Sequence, residues 1–479
     1  MRKALGVISA LALVEARRVS QTSPFVGENK DAHSVDHGDG NTSMRLRSTN
    51  ATYNKYESMI VREGLFKGRK STYSAMKDFV FGKEETPLEK ALRNKHQAKY
   101  GASDRRLGQT IVNEMINTDG TMWVGPIYMG GNTKMDVVYD TGSDWLVMED
   151  ISCGNCEGNK YDIADSQGTP TKISTSTSER NYGSASLVGN EYTDKVCINL
   201  ATCLDVFEFF LITSQTGIRE PIDGILGLSR NNPFHIAKAN GNTSGPLMIE
   251  QLAAEGKIGE NKFSFYFQEP AEDSWVDVGT PKLEHIKTGA TQVETQLIEE
   301  DFFWGFYNTG IAIGNIDNAY NYEDTTDYPI FQENKSLYSI IDTGSTALVI
   351  SSLYYEDLII QLFAYAGIDD WAYESGVVVT KCEYDLPSLY FQIDGAWIEA
   401  RGNDYKYNYN GDGTSCILFV MPMNSPMNIL GMPVHVDYYT IHDPVTGLVT
   451  WAPHSNSPKG DIVKGAVPTG KTLRFGSTD

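Results

Sequence analysis

Two tetrapeptides, Asp140-Thr141-Gly142-Ser143 and Asp342-Thr343-Gly344-Ser345, stand 202 residues apart in a chain of 479. Each follows an apolar run, Val137-Val138-Tyr139 or Ile340-Ile341, and precedes another, Trp145-Leu146-Val147-Met148 or Ala347-Leu348-Val349-Ile350. The pattern predicts a buried strand entering a tight turn that carries one carboxylate, then leaving as a strand. One copy would be an ordinary β-turn, because Asp and Gly are turn formers. Two copies imply two similar lobes, each presenting an aspartate to a shared cleft. A lone carboxylate that titrates near pH ~4 is a poor base. Two carboxyls within about 3 Å cannot both ionise comfortably, so the pair retains one proton. Its ionised member can take a proton from water while the protonated member donates to an electrophilic oxygen.

The elements around the turns read as mostly β. Met122-Trp123-Val124, Ile127-Tyr128-Met129 and the run from Lys134 to Tyr139 predict a meander into the first aspartate, with its turn at Gly130-Gly131-Asn132. A helix is predicted from Pro246 to Ala254, capped by Ser244 and stopped by Gly256. Phe263 to Phe267 returns to strand, the first lobe hands over near Thr280-Pro281, and a second helix runs from Leu353 to about Tyr365. Upstream, Arg17 to Ser58 is polar and expected to be poorly ordered. Met59 to Arg62 reads as a strand, and Glu84 to Tyr100 as a basic helix opening at Thr86-Pro87.

Taken together these residues resemble the pepsin-like aspartic proteases, over about residues 107 to 455. Tyr182-Gly183-Ser184-Ala185-Ser186 is similar to that family's flap, a hairpin whose Tyr closes over the substrate. Pro221-Ile222-Asp223-Gly224-Ile225-Leu226-Gly227-Leu228 resembles the segment crossing behind the first aspartate, and Asn428-Ile429-Leu430-Gly431 its counterpart in the second lobe. Tyr438 to Asp443, Gly447 and Trp451-Ala452-Pro453 resemble the closing strands. The resemblance implies an all-β dominated fold of two pseudo-symmetric lobes with a few short helices. It implies an aspartic endopeptidase working at acid pH, made as a zymogen, monomeric and needing no metal or cofactor, with proteins or peptides as substrates.

Residue by residue, the resemblance makes Asp140 and Asp342 the catalytic pair. Thr141 and Thr343 would hold the loops rigid, Gly142 and Gly344 would bring backbone N–H groups to the carboxylates, and Ser143 and Ser345 would bond their outer oxygens. Ile222 and Ile225 fall where the family lines the pocket before the cut bond, implying preference for hydrophobic residues there; either is equally at home as core. Lys99-Tyr100 is similar to the pair that plugs the cleft in such zymogens, although one solvated Lys on a basic helix reads the same way. Two departures stand out. Many relatives carry a Trp at the position of Val147 that anchors the flap Tyr, and here the nearest is Trp145. A small disulfide that relatives often have before the second motif is replaced by an Asn/Tyr/Asp-rich insert from about Asn315 to Asn334.

Charge divides the chain. Residues 44 to 106 hold 15 Lys/Arg against 7 Asp/Glu, and residues 107 to 479 hold 20 against 50. A basic arm alone would suggest nucleic acid, but the acidic body argues against nucleic acid and anionic membranes as partners. The better reading is a prosegment that inhibits its own enzyme and leaves when acid protonates the carboxylates. Residues 1–16 look like a signal peptide, with Arg2 and Lys3, an apolar stretch from Ala4 to Val14, and a small-residue exit. That stretch is too short to span a bilayer, and no stable membrane anchor is expected. The domain plan is thus signal 1–16, propeptide 17–106, lobes 107–280 and 281–455, and polar tail 456–479, with processing at Asp104-Arg105-Arg106-Leu107. The expected location is the secretory pathway, ending outside the cell or in an acidic lysosome- or vacuole-like compartment.

Six cysteines in a secretory chain suggest disulfides. Among 15 connectivities, two close pairs and one pair in the second lobe favour Cys153–Cys156, Cys197–Cys203 and Cys382–Cys416. Zinc is the rival for Cys153-x-x-Cys156. Asn41, Asn50, Asn242 and Asn334 head glycosylation sequons. Three other functions compete. A protease-like binding protein would usually have lost an aspartate. A glycosidase would draw its two carboxylates from unpaired strand ends. A serine or cysteine protease has no plausible triad here and no Gly-x-Ser-x-Gly elbow.

Overall fold

The apolar runs flanking each aspartate become strands of one sheet, separated by a third short strand, because each is long enough for a strand and too short for a helix of its own. In the computed structural model the described residues are 123–182, 185–218, 222–230, 246–268, 274–299, 301–316, 330–374, 377–408 and 413–465. To these are added the short strands Val35–Asp36, Thr42–Met44, Ile111–Met115 and Leu473–Arg474. The architecture is mostly β, with helices Met248–Ala254, Tyr355–Ala366 and Met432–His435. None is long and apolar enough to cross a membrane.

Both lobes are built on the same ladder. In the first, Thr133–Asp140 pairs parallel with Gly224–Gly227, which pairs antiparallel with Leu146–Glu149, itself parallel to Thr202–Thr216. In the second, Ile330–Ile341 pairs parallel with Met427–Leu430, antiparallel to Leu348–Ser351, itself parallel to Val420–Met423. Even the register repeats. Leu226 lies opposite Tyr139, and Leu430 opposite Ile341, in each case the residue just before the aspartate. A third sheet joins the lobes by interleaving Phe263–Tyr266 and Ser274–Val278 with Tyr438–Asp443 and Leu448–Pro453. Two pieces of the stretch expected to be poorly ordered, Val35–Asp36 and Thr42–Met44, pair at the edge of this sheet beside Ile111–Met115.

The first helix begins at Met248, two residues later than the sequence predicts, with Leu247 at its N-cap and no side-chain cap. Ser244 lies outside the described residues. Gly256, at φ +68°, ends its turn in the left-handed region where glycine costs least. The second helix spans Tyr355–Ala366 and closes on Gly367 at φ 65°. The six cysteines form Cys153–Cys156, Cys197–Cys203 and Cys382–Cys416, leaving no thiol for zinc.

The segment after Pro453, which the sequence presents as a polar tail, packs back onto the second lobe as far as Lys464. Val463–Lys464 pairs with Ala396–Ala400. Lys459 is buried, donates to the Glu399 carbonyl at 2.8 Å, lies 4.2 Å over the Tyr438 ring and faces Asp404 at 3.6 Å. A buried ammonium is tolerated only when paired and hydrogen-bonded in this way. The predicted strand at Met59–Arg62, the helix at Glu84–Tyr100, the processing site at 104–107 and most of the insert before the second motif lie outside the described residues.

Candidate active site

Each Asp-Thr-Gly-Ser turn is closed by its own side chains. Gly142 N–H donates to Asp140 Oδ1 at 2.8 Å and the Ser143 hydroxyl to Oδ2 at 2.7 Å. In the other lobe Gly344 N–H donates to Asp342 Oδ1 at 2.9 Å and the Ser345 hydroxyl to Oδ2 at 2.6 Å. The four bonds fix both carboxylates in one rotamer without neutralising them, since each donor is itself uncharged.

The two turns are also bolted to each other. Thr141 N–H donates to Thr343 Oγ1 at 3.1 Å, and Thr343 N–H returns the bond to Thr141 Oγ1 at 3.0 Å. Each hydroxyl then donates across the lobe boundary, Thr141 to the Ile341 carbonyl at 2.9 Å and Thr343 to the Tyr139 carbonyl at 2.7 Å. All four bonds are buried, so breaking one leaves an unpaired group that costs about 1–3 kcal/mol. The glycines show how close the turns come. A methyl at Gly142 would stand 2.7 Å from Asp342 Cγ, and one at Gly344 would overlap the Asp140 carboxylate. Each carboxylate therefore lies against the backbone of the opposite turn. At 8 % and 9 % exposure, Asp140 and Asp342 keep only a narrow contact with solvent.

Over this pair stands the hairpin formed by Ser178–Asn181 and the start of Ser186–Asn199, closed by Tyr182 N–H donating to the Ala185 carbonyl at 2.8 Å. Gly183 and Ser184, at its tip, lie outside the described residues, as do Lys99 and Tyr100. Tyr182 packs on a cluster containing Trp145, Val147, Phe210, Ile222 and Ile225. Among the described residues its buried hydroxyl has no hydrogen-bond partner. Burial first, then the nearby Asp144 and Asp140 carboxylates, raise its pKa well above the ordinary tyrosine value. Ile222 and Ile225 thus line the same apolar patch as the flap Tyr. Val147 is wholly buried in the ladder between Ile225 and Phe210, in the cluster on which Tyr182 packs, and its aliphatic side chain offers the Tyr182 hydroxyl no hydrogen bond.

Behind the turns the lobes differ. Asp223, on the crossing segment of the first lobe, accepts Asp136 N–H at 2.7 Å and Asn159 N–H at 2.6 Å. Burial pushes its carboxyl up to about 6, against those hydrogen bonds. Glu149 accepts Gly158 N–H at 2.9 Å and is pushed by burial up to about 7. In the second lobe the residue in register with Asp223 is Met427, and the buried polar group of the crossing segment is the neutral amide one residue on. Asn428 Oδ1 accepts Ser351 N–H at 3.0 Å and the Tyr354 hydroxyl at 2.6 Å. His435 follows on the next helix, fully buried, and burial lowers its pKa to about 4, while the Asp342 charge acts weakly the other way.

Sequence reasoning missed the joint that holds the lobes in register. Trp304 Nε1 donates to the Leu228 carbonyl at 2.8 Å, and Ile341 N–H to the Trp304 carbonyl at 3.0 Å. Arg230 donates to the Ile298 carbonyl at 2.6 Å. The Trp304–Leu228 and Arg230–Ile298 bonds run from one lobe to the other, while the Ile341 bond ties Trp304 to the strand entering the second turn, and no local pattern marks a residue as facing another lobe. Arg180, under the flap, was missed too, although its place on an alternating strand two residues before Tyr182 turns it inward.

Residues 122–454 match the family described as eukaryotic aspartyl protease. No individual curated protein is significantly similar to the chain. The match takes in both turns, the hairpin bearing Tyr182, both crossing segments and the strands from 263 to 453 of the sheet that joins the lobes, and it extends over well more than half of the sequence. This chain therefore belongs to the eukaryotic aspartyl protease family and is an aspartic-type endopeptidase, with proteins or peptides as its substrates.

Proposed function

We propose that Asp140 and Asp342 are the two members of one catalytic dyad, and that the enzyme cleaves peptide bonds in acid after release from a zymogen. The observation that carries this reading is the reciprocal pair of Thr141–Thr343 hydrogen bonds, which sets each carboxylate against the opposite turn. Two carboxyls held this close can keep one proton between them. A water between them loses a proton to the ionised carboxylate and attacks the scissile carbonyl carbon. The protonated carboxyl donates to the carbonyl oxygen, giving a neutral tetrahedral diol. Collapse returns a proton to the departing nitrogen and regenerates the shared-proton pair. Ser143, Ser345 and the two glycine N–H groups hold the carboxylates still through these steps, so little reorganisation is needed at the barrier. Tyr182, closing above, excludes bulk water. Ile222 and Ile225 favour an apolar side chain before the cut bond.

The same reading takes residues 17–106 as an inhibitory prosegment behind a signal peptide, and 107–280 and 281–455 as the catalytic lobes. The supporting contrast is the basic run at 44–106 against the acidic remainder. At low pH the carboxylates lose charge and the attraction fades, so release should be faster in acid and sensitive to salt. The compartment would be an acidic one reached through the secretory pathway. The test is a mass-spectrometric time course of the purified full-length chain after a drop from neutral pH to about pH 4 (near the ordinary carboxylate pKa), run beside Asp140→Ala. Loss of the segment up to about Leu107 in wild type alone is expected. Equal processing of the Asp140→Ala chain would contradict self-cleavage by this dyad.

A further inference from the structure

We propose that Arg180 is the positioning residue that sets how the flap bearing Tyr182 sits over the cleft, acting through Trp145 and Phe210. The proposal rests on the reading of Asp140 and Asp342 as the dyad and of Tyr182 as the flap residue. Arg180 lies on Ser178–Asn181, the incoming strand of the hairpin, opposite Leu187. Its neighbours Glu179 and Asn181 face solvent, whereas Arg180 is only 7 % exposed. The guanidinium carbon stands 4.6 Å from the centre of the Trp145 ring and 4.9 Å from that of Phe210. Nη2 is ion-paired with Glu191 Oε1, and Nη1 donates to Ser178 Oγ and the Glu179 carbonyl, each at 3.2 Å.

One cation therefore ties three elements together. Trp145 leaves the turn that carries Asp140. Phe210 and Glu191 face each other across the long strand pair beneath the hairpin. Arg180 belongs to the flap itself. Such contacts strengthen when desolvated, because the charge has exchanged water for ring faces and a carboxylate. Tyr182, two residues further on, packs on the same cluster, and among the described residues its hydroxyl has no hydrogen-bond partner. Packing on that cluster is therefore what places Tyr182, and the guanidinium lies against two of its rings. A lysine would keep the charge but not the flat surface that lies against a ring. Ile222 and Ile225 share the cluster, so a shift of Arg180 also moves the wall of the proposed substrate pocket.

The test uses acid-processed enzyme from the full chain, an internally quenched peptide, and enzyme concentrations fixed by titration with a tight-binding transition-state-analogue peptide. Arg180→Met keeps the apolar stem and removes charge and plane. It is expected to raise KM about tenfold, the equivalent of a desolvated cation–π pair, with kcat changed less than about threefold. Arg180→Lys is expected to recover less than half of that loss. A purely structural role would lower the titratable fraction and Tm while leaving KM of the surviving enzyme where it was. KM within about twofold of wild type in Arg180→Met, or full recovery in Arg180→Lys, would overturn the proposal. If Arg180→Met does not fold, Phe210→Leu removes one ring face and is expected to raise KM about threefold; an unchanged KM there overturns it equally. Asp140→Ala, freed of its prosegment by an added protease of another class, separates the two levels of the argument in the same assay. Activity surviving in that variant defeats the dyad, whereas an inactive Asp140→Ala beside an unaltered Arg180→Met defeats only the flap proposal.

Discussion

The two lobes each hold their aspartate with the same two hydrogen bonds but stand on different ground. Behind Asp140 lie two buried carboxyls, Asp223 and Glu149, pushed up to about 6 and about 7. Behind Asp342 lie a neutral amide network around Asn428 and a buried His435 lowered to about 4. The lesson is that the turn geometry is what both lobes must share, because a carboxylate has to reach the same point from each side. What supports the turn is under no such requirement, and the two halves have settled on supports that respond to pH in opposite senses.

The signs follow from which state binds more protons. Asp223 and Glu149 titrate in the unfolded chain near ~4, below their folded values, so the native first lobe binds more protons between about pH 4 and 7. Their contribution is fully present below about pH 4 and is lost as pH rises toward about 7. His435 titrates near ~6.5 when unfolded, above its folded value, so the unfolded chain binds more protons between about pH 4 and 6.5. Its contribution is present above that window and is lost as pH falls through it. His442 is lowered in the same sense, first by burial and then by His435. The support behind Asp140 thus weakens toward neutrality, and the support behind Asp342 weakens between about pH 6.5 and 4.

The largest expected effect tests how closely the turns approach. Gly344→Ala should reduce kcat/KM by at least about a hundredfold, because its methyl overlaps the Asp140 carboxylate and displaces it from the dyad. Gly142→Ala, with slightly more room against Asp342, should be impaired less. Equal activity of Gly344→Ala and wild type would show that the two turns are further apart than described here. Next come Thr141→Ala and Thr343→Ala. Each removes one hydroxyl that both donates and accepts across the boundary, so each should cost about 1–3 kcal/mol in stability, measured by denaturant melts. The costs should match within error; a twofold difference would break the symmetry of the bolt.

Smaller effects sharpen the contrast between supports. Glu149→Gln should flatten the loss of Tm between about pH 5 and 7.5, because the raised carboxyl is then absent. His435→Leu should flatten the loss between about pH 6 and 4 and leave the neutral side unchanged. Calorimetry across pH reads both. An identical pH profile in either variant would mean that its group is not what makes that lobe respond.

How much of this could be read beforehand follows from where the constraint lies. Both turns and their flanking strands were legible because Asp, Thr, Gly and Ser recur in fixed order between apolar runs. The cysteine pairs were legible from spacing, since each partner lies in the same lobe and two pairs are close in sequence. The cross-lobe bonds of Trp304 and Arg230 were not legible, because nothing local distinguishes a Trp facing another lobe from a Trp in its own core. Nor was the docking of the segment around Lys459. A Lys among Ser, Pro and Gly reads as solvated, and only the fold reveals the Tyr438 face, the Glu399 carbonyl and the Asp404 carboxylate waiting for it. Arg180 was hidden for a related reason, since a charged residue turned inward is recognised only when its aromatic neighbours are known.

The central claim is that one carboxylate from each lobe acts in a single unit. The direct measurement is kcat/KM on a quenched peptide for Asp140→Asn, Asp342→Asn and the double variant, each shown by circular dichroism to be folded. Residues that act as a unit are non-additive, so all three should fall to the same floor, at least about ten-thousandfold below wild type. A single variant retaining activity within about tenfold of wild type would contradict the shared dyad, whatever the other variant does.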